Sequence, residues 1–456
     1  MKPLSIQTIA EFCGGRLVSG DGARVCTRTS TDSRKIEAGD LFVALVGEKF
    51  DAHDFVPQVA QAGAAAVIVS RLPENAASLP CAVIEVPDTL GALQRLSHRH
   101  RQILDPLVIG ITGSNGKTST KDFMSAVMRP KFEVFVTAGN LNNHIGVPLT
   151  LMSLEEKHTC AVVEMGMNHP GEIAPLCAIA EPDAAIITNI GVAHIEFMGS
   201  RAGIAQEKGV LAESVSADGV VVLNANDEFS DSIAARCKAK VIRAGVGRGD
   251  VSATIHESSA EGSRFSLDFA GTVRVKILLP VPGEHMVGNA ALAAACAWHH
   301  GVSPEAIASA LSGAQVTKGR LQVRHWHGVV FLDDSYNANP DSMRAGIKTL
   351  TGMNVAGRRA AVLGRMGELG PHAEQGHREV GEFAAQSRLD AVFTVGDEAA
   401  LISRAANSGV GESRNFTSHA ECATYLKDWL KDGDAVLLKG SRSAGMEQVF
   451  THLETA

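Results

Sequence analysis

Apolar and polar positions along this chain follow two periods that take turns. Short β-branched runs at Ala64 to Ser70, Leu107 to Thr112, Cys160 to Glu164, Ala184 to Thr188 and Val220 to Leu223 are separated by Ala-rich stretches with helical spacing. Continuous apolar runs of this length suit strands buried on both faces, and their alternation with helices predicts an α/β fold on parallel sheets. From Val251 to Pro282 the rhythm changes to alternating strands such as Arg264 to Phe269 and Val273 to Leu279. That stretch predicts an antiparallel edge or flap. A strand-then-helix rhythm returns with Val329 to Leu332, Ala360 to Leu363, Ala391 to Val395 and Ala435 to Leu438. It predicts a second doubly wound sheet.

Breaks in the pattern suggest domain boundaries. The polar, basic stretch HRHRQILDP separates a helix from the strand at Leu107, and a second break lies near Gly313 to Arg320, after the helix Asn289 to His299 and the helix following Pro304. The expected division is 1–105, 106–315 and 316–456, in line with roughly 150 residues per domain. The sequence has no low-complexity tract and no repeat with a period of about 20 to 50 residues.

Composition narrows the function classes. Of 456 residues, 45% are apolar and 20% charged, as in a folded protein, and only 5% are aromatic, so aliphatic side chains must fill the cores. With 42 Lys and Arg against 50 Asp and Glu, the net charge is -8. No broad basic surface is expected, and hence no nucleic-acid partner. The N-terminus lacks the apolar stretch of a signal peptide, and no run of about 18 apolar residues occurs, so a cytoplasmic protein is expected. Eight cysteines lie scattered without a CxxC pair or zinc-ligand spacing. They are expected to be reduced, buried thiols.

The strongest local signal is LVIGITGSNGKTSTK, residues 107–121. An apolar strand runs into Gly113-Ser114-Asn115-Gly116-Lys117-Thr118-Ser119, and helical spacing follows at Phe123, Met124 and Val127. Glycines let backbone N–H groups approach phosphate oxygens, and a helix N-terminus adds positive potential. Lys117 would reach the β and γ phosphates and the Thr118 hydroxyl would hold Mg²⁺. Ile111 occupies the position of the first glycine in the general motif, and a glycine-rich strand-to-helix turn without a ligand shares the pattern. A metal-binding acid at a neighbouring strand end would be Glu164, which closes CAVVEM; Asp183 or Asp227 would fit as well, although such residues are more often solvated strand-end charges. His194 is a candidate ligand or ligand support, and Lys208 reads by default as a solvated helix lysine.

TGSNGKTS resembles the phosphate loop of the Mur ligase family, which also lacks that first glycine. NLNNHIGVPLTLM (140–152), EMGMNHPGEI (164–173), TNIGVAHIE (188–196), GEHMVGNAALAAA (283–295), KGR (318–320), DDSYNANPDSM (333–343), LGRMGELG (363–370) and LLKGSRSAGME (437–447) follow in the family's order, and TDSRKIEAGDLFVALVGEKFDAHDF (31–55) resembles its nucleotide-sugar domain. SYNANP and KGSRS are similar to the branch that adds D-alanyl-D-alanine.

This resemblance implies three α/β domains: an N-terminal UDP-sugar domain, a central P-loop ATPase-like domain on a parallel sheet, and a C-terminal Rossmann-like domain for the amine substrate. It implies an ATP- and Mg²⁺-dependent, ADP-forming ligase of peptidoglycan synthesis, and so of cell shape and division. The enzyme would act as a monomer on UDP-N-acetylmuramoyl-tripeptide and D-alanyl-D-alanine. Residue by residue, Ser33, Arg34, Asn140 and Asn142 would hold the UDP-sugar substrate. Thr118, Glu164, His194 and a carbamylated Lys208 would bind magnesium. Asn289 would contact adenine, Arg320 and Asp334 the ATP phosphates and ribose, and Tyr336, Asn337 and Asn339 would line the closing interface. Lys439, Ser441 and Arg442 would face the dipeptide. Met286, Arg365, Val210 and His144 depart from the family's usual residues. The alternatives are a sibling ligase, of the diaminopimelate- or lysine-adding or folylpolyglutamate type, and an inactive nucleotide-binding homologue.

Overall fold

In the computed structural model, which describes residues 1–455, the N-terminal sheet shows how strand alternation builds a two-faced core. Its strands lie in the order Arg16–Ser19, Ala82–Glu85, Ala66–Val69, Leu41–Val43 and Thr29–Ser30. The last four run parallel and Arg16–Ser19 antiparallel. Leu41, Val43, Ala66, Ile68, Ala82 and Ile84 face helices Ile6–Cys13 and Thr89–Leu104. The alternate residues Phe42, Val67, Val69 and Val83 face helix Val56–Gln61. Period-two alternation with both faces apolar is what a sheet buried between helices demands.

The chain divides into two compact units: Met1–Gly110, Phe132–Met167 and Gly171–Ala184 form the first, and Ile111–Lys131, Asn168–Pro170 and Ala185–Ala456 the second. Besides the N-terminal sheet, the first unit holds the parallel pair Val134–Val136 and Cys160–Glu164. Asp183, half exposed, also braces the chain there: its Oδ2 accepts the Val108 N–H at 2.8 Å and pairs with Arg101 at 3.4 Å.

His100, on helix Thr89–Leu104, is a buried titratable group. Its Nε2 accepts the Lys2 N–H at 2.9 Å and its Nδ1 faces the Leu151 carbonyl at 3.0 Å. Burial pushes its pKa down to about 4 from 6.5. The folded chain thus refuses a proton that the unfolded chain accepts, so this stabilising contribution is complete above pH 6.5 and is lost as pH falls toward 4. Its upper size is about 3 kcal/mol. The unfolding midpoint should fall between pH 7 and pH 4.5, and His100→Gln should start less stable but show a flatter pH dependence. Equal slopes for the two proteins would contradict this assignment.

In the second unit, one run of neighbouring strands is Val273–Leu279, Gly262–Phe269, Val251–Ser259, Lys240–Val246, Val220–Asn224 and Ala184–Ile187. The first three are antiparallel, forming the flap that the alternation predicts, and Val251–Ser259 joins the parallel part beside Lys240–Val246. The second sheet has the order Gln322–Trp326, Val329–Asp334, Ala435–Lys439, Arg359–Leu363, Ala391–Val395 and Glu412–Phe416. All its strands are parallel except Gln322–Trp326. One face packs Phe331, Val362, Phe393 and Leu438 against helices His419–Trp429 and Glu447–Thr455.

Every cysteine except Cys237 is buried, and burial pushes Cys13, Cys160 and Cys422 up to about 12, as inert structural thiols require. No helix among the described residues is long and apolar enough to cross a membrane.

Candidate active site

The phosphate loop follows the carboxyl end of strand Leu107–Thr112, the edge where α/β sheets present ligand-binding loops. Gly113 and Gly116 are there because nothing larger fits. A Cβ at Gly113 would lie 1.8 Å from Thr188 Oγ1, and one at Gly116, where φ is 81°, would lie 2.7 Å from Asn289 Nδ2. Gly116 caps helix Lys117–Met128, so the free N–H groups of its first turn open onto the loop.

The loop after strand Ala184–Ile187 locks this conformation. Asn189 accepts the Ser114 N–H through its carbonyl at 2.9 Å and the Asn115 N–H through Oδ1 at 3.0 Å, and returns a bond from Nδ2 to the Asn115 carbonyl at 3.0 Å. Thr188 Oγ1 donates to the same carbonyl, and Ser114 Oγ accepts the Gly191 N–H at 2.8 Å. Asp227 supports the far side by accepting the N–H groups of Ile190 at 2.6 Å and Phe229 at 2.9 Å. Burial raises its pKa against those bonds, so it is a brace and not the solvated charge expected of it.

Three basic side chains attend the loop. Lys117 Nζ donates to the Gly113 carbonyl at 2.7 Å. Arg320 stacks on Tyr336 at 4.1 Å and donates from Nη2 toward Thr118 Oγ1 at 3.4 Å. Lys208 is the third, and the expectation of a solvated helix lysine is overturned: it is fully buried, and its Nζ has no hydrogen-bond partner among the described residues. Burial drives its pKa well below the usual lysine value, the charge of Lys117 adds to this, and Glu207 opposes it. A neutral amine is the form such a site favours.

His194 and Glu368 meet in left-handed backbone, with φ of 63° and 58°, and His194 Nδ1 lies 2.9 Å from Glu368 Oε2. Glu368 is pushed below its ordinary value first by the His194 hydrogen bond, against burial, with the charges of His194 and Lys117 adding. Both therefore occupy a backbone region that non-glycine residues populate sparsely.

At the carboxyl edge of the second sheet, Asp334 and Lys439 are register partners and pair through Oδ2 and Nζ at 2.5 Å; Nζ also donates to the Asn337 carbonyl at 3.0 Å. Burial lowers the Lys439 pKa against the pull of Asp334. Asn337 Oδ1 accepts the Ala338 N–H at 2.8 Å. Asn339 caps helix Pro340–Gly352 and donates from Nδ2 to Asn115 Oδ1 at 2.8 Å. Ser441 is buried, with its Oγ 3.2 Å from Ser443 Oγ, whereas Arg442 is exposed and pairs with Glu447 at 2.7 Å. Of the departures, Met286 is buried in helix Glu284–His299, and Arg365 is matched by Glu398 at 2.7 Å and by Ser443 Oγ at 2.9 Å.

In the first unit, Glu164 ends strand Cys160–Glu164 and is buried. Asn142 Nδ2 donates to Glu164 Oε1 at 2.8 Å, and the Glu164 N–H donates to Thr137 Oγ1 at 2.9 Å. Asn140 is exposed. Ser33 starts a short 3-10 turn after strand Thr29–Ser30, and Arg34 pairs with Asp32 at 2.8 Å, which lowers the Asp32 pKa to about 2.

Glu368, Asn189 and Asp341, whose Oδ2 accepts the Val192 N–H at 2.9 Å, were assigned no role from the sequence, although each lies in a stretch already singled out. Among the described residues no three His, Cys, Asp or Glu side chains gather as a metal-ligand set. A divalent cation here would need a mixed set of hydroxyl, carboxylate and imidazole, completed by an anion that Lys208 can become. Its buried, partnerless amine fits that chemistry.

Family descriptions cover most of the chain: "Mur ligase family, catalytic domain" matches residues 26–101, "Mur ligase middle domain" 111–297, and "Mur ligase, glutamate ligase domain" 319–442. A Bacillus subtilis protein named UDP-N-acetylmuramoyl-tripeptide--D-alanyl-D-alanine ligase is 38% identical, with 98% of each chain covered. The chain belongs to the Mur ligase family. It is therefore a ligase with that family's three-domain α/β architecture. The Escherichia coli protein of the same name is 37% identical over 100% of this chain and 99% of that one. A crystal structure of MurF from Acinetobacter baumannii, 35% identical, superposes with a TM-score of 0.91 over 100% of this chain and 99% of its own. The Thermotoga maritima MurF ligase in complex with ADP, 28% identical, gives 0.83 over 94% and 97%.

Proposed function

We propose that this Mur ligase joins D-alanyl-D-alanine to UDP-N-acetylmuramoyl-tripeptide and converts ATP to ADP and phosphate. The observation that carries the reading is a phosphate loop with its lysine in place, in a chain that spans the full length of relatives named for that reaction. Residues 1–105 bind the UDP-sugar through Ser33, Arg34, Asn140 and Asn142, 106–315 bind ATP, and 316–456 bind the dipeptide through Lys439, Ser441 and Arg442. The protein acts as a cytoplasmic monomer.

A carboxylate is a poor electrophile, so amide formation needs activation. Attack of the tripeptide carboxylate on the γ-phosphorus of ATP forms an acyl phosphate and releases ADP. The free amine of D-alanyl-D-alanine then adds to the acyl carbon, loses a proton, and the tetrahedral intermediate expels phosphate. Lys117 leaves the Gly113 carbonyl to follow the transferring charge, and the N–H groups of the loop and of the first helical turn are already aimed. Arg320, held flat by Tyr336, meets the phosphates, Asn289 the adenine and Asp334 the ribose. Thr118, Glu164, His194 and carbamylated Lys208 would hold magnesium, which when bound neutralises charge on the phosphoryl group. Glu368 Oε2, 2.9 Å from Nδ1, would leave His194 Nε2 as the ligand nitrogen.

Amine choice tests the reading. A dipeptide presents a carboxylate and a second methyl that a single amino acid cannot place together, and the planar Arg442 fork can exchange Glu447 for that carboxylate. Free D-alanine or L-lysine should support ADP release at least ~10²-fold less efficiently than D-alanyl-D-alanine. Equal turnover with either would refute the assignment and favour a sibling ligase.

A further inference from the structure

Within the first unit, helices Ile6–Cys13 and Thr89–Leu104, with Gly14 at the end of the shorter one, line a cavity of about 680 Å³. Small-molecule sites span about 300 to 1,000 Å³. Phe12 and Ile103 give it apolar wall, and Ile103 is 42% exposed, a large apolar side chain left out of the core. Arg95 and Arg99, one turn apart on the longer helix, give it charge. Arg95 Nε donates to the Cys13 carbonyl at 2.8 Å, which ties off the negative end of the shorter helix and leaves its Nη groups uncommitted. Arg99 Nη1 donates to Gln102 Oε1 at 3.0 Å, and among the described residues neither guanidinium pairs with a carboxylate. The acids in the neighbourhood have other partners. Glu11 Oε1 accepts Gln7 Nε2 at 3.0 Å, Asp88 caps the longer helix by accepting the Leu90 and Gly91 N–H groups at 3.1 and 2.8 Å, and Glu181 Oε1 lies 3.0 Å from His98 Nε2. Two arginines against Glu11 leave the lining positive.

We propose that this cavity is a binding site for a small amphipathic carboxylate, whose anion lies between Arg95 and Arg99 and whose apolar body covers Phe12 and Ile103. Each half of that ligand answers a feature the chain leaves open. Like charges at i and i+4 of a helix repel, and one carboxylate that accepts from both guanidinium groups converts the repulsion into two charge-assisted hydrogen bonds. A neutral apolar molecule would cover the arginines without satisfying them, and a bare anion would leave the apolar wall wet. A single negative charge also suits a lining that contains Glu11, which would repel a doubly charged phosphate ester. Ser33, Arg34, Asn140 and Asn142, the residues assigned to the UDP-sugar, take no part in this lining. The inference therefore stands apart from the ligase reading and adds a second ligand to the chain.

The test is calorimetric titration of the full-length protein with octanoate, octan-1-ol and acetate. Octanoate should bind once per chain, and the other two, each lacking one half of the recognition, at least ~10-fold more weakly. Arg99→Gln removes charge at an exposed position whose hydrogen bond is to Gln102, so the fold is kept. It should weaken octanoate by ~10-fold and leave octan-1-ol unchanged. Ile103→Ser should weaken octanoate and octan-1-ol alike, since both lose the same apolar wall. Octanoate held no more tightly than octan-1-ol would reduce the cavity to an apolar hollow, and octanoate held no more tightly than acetate would reduce it to a cationic patch. Either result overturns the proposal, as do unchanged binding in Arg99→Gln and no octanoate binding at millimolar concentration. These titrations need neither ATP nor ligation, so a protein that never uses D-alanyl-D-alanine would sink the proposed function and leave this site standing.

Discussion

Lys117→Ala should fold normally and lose at least ~10²-fold of its ligation rate. Its amine is bonded to the Gly113 carbonyl at 2.7 Å and, more distantly, to the Ser114 carbonyl at 3.5 Å, and it sits on the first turn of a helix that is anchored by Phe123, Met124 and Val127. Truncation removes no core packing, and the loop keeps its bonds to Thr188 and Asn189, so the far-ultraviolet spectrum and melting temperature should stay close to wild type. The missing group is the mobile cation that follows charge onto the transferring phosphoryl oxygens. A folded Lys117→Ala protein with most of its turnover would show that this loop does not serve phosphoryl transfer.

Lys208→Ala should be nearly inactive in ambient carbon dioxide and partly restored by a short carboxylic acid such as formate. A fully buried ammonium with no hydrogen-bond partner, in the field of Lys117, is the least favourable form the side chain can take. A neutral amine adds carbon dioxide, loses a proton and becomes an anion, which is the charge that a site between lysines and divalent cations lacks. Formate can fill the gap left by alanine, whereas Lys208→Arg keeps a permanent charge, cannot form the carbamate and should resist rescue. Protein equilibrated with ¹³C-labelled carbon dioxide should show a carbamate resonance that disappears in Lys208→Ala. Normal turnover by Lys208→Ala would remove the carbamate while leaving the ligase intact.

The phosphate loop could be read from the sequence because local rules write it: a strand apolar on both faces, glycines where no Cβ fits, and a helix that begins at once. The flap could be read for the same reason, as its alternation is local. Strand Glu412–Phe416 gave no signal because, at the sheet edge, only Phe416 of its residues is buried. The pattern alone leaves Lys208 a solvated charge, and only the resemblance singles it out, because helix Arg201–Ser214 buries Glu207 and Lys208 on the same side as Ile204, Leu211 and Ala212, whereas periodicity assigns charges to solvent. Asp341 could not be found by any local rule, since its partner lies 149 positions away and is a backbone N–H with no side-chain signature. Asp227 was illegible for the same reason: a strand-end acid looks solvated until the N–H groups it accepts are known.

The most direct test of the central claim is product analysis with the full-length protein, ATP, Mg²⁺ and UDP-N-acetylmuramoyl-tripeptide, with and without D-alanyl-D-alanine. With the dipeptide, mass spectrometry should find the tripeptide nucleotide enlarged by D-alanyl-D-alanine less one water, with one ADP and one phosphate released per product and little release without it. ADP release that does not depend on the dipeptide, or unchanged nucleotide-sugar after complete ATP turnover, would contradict the account.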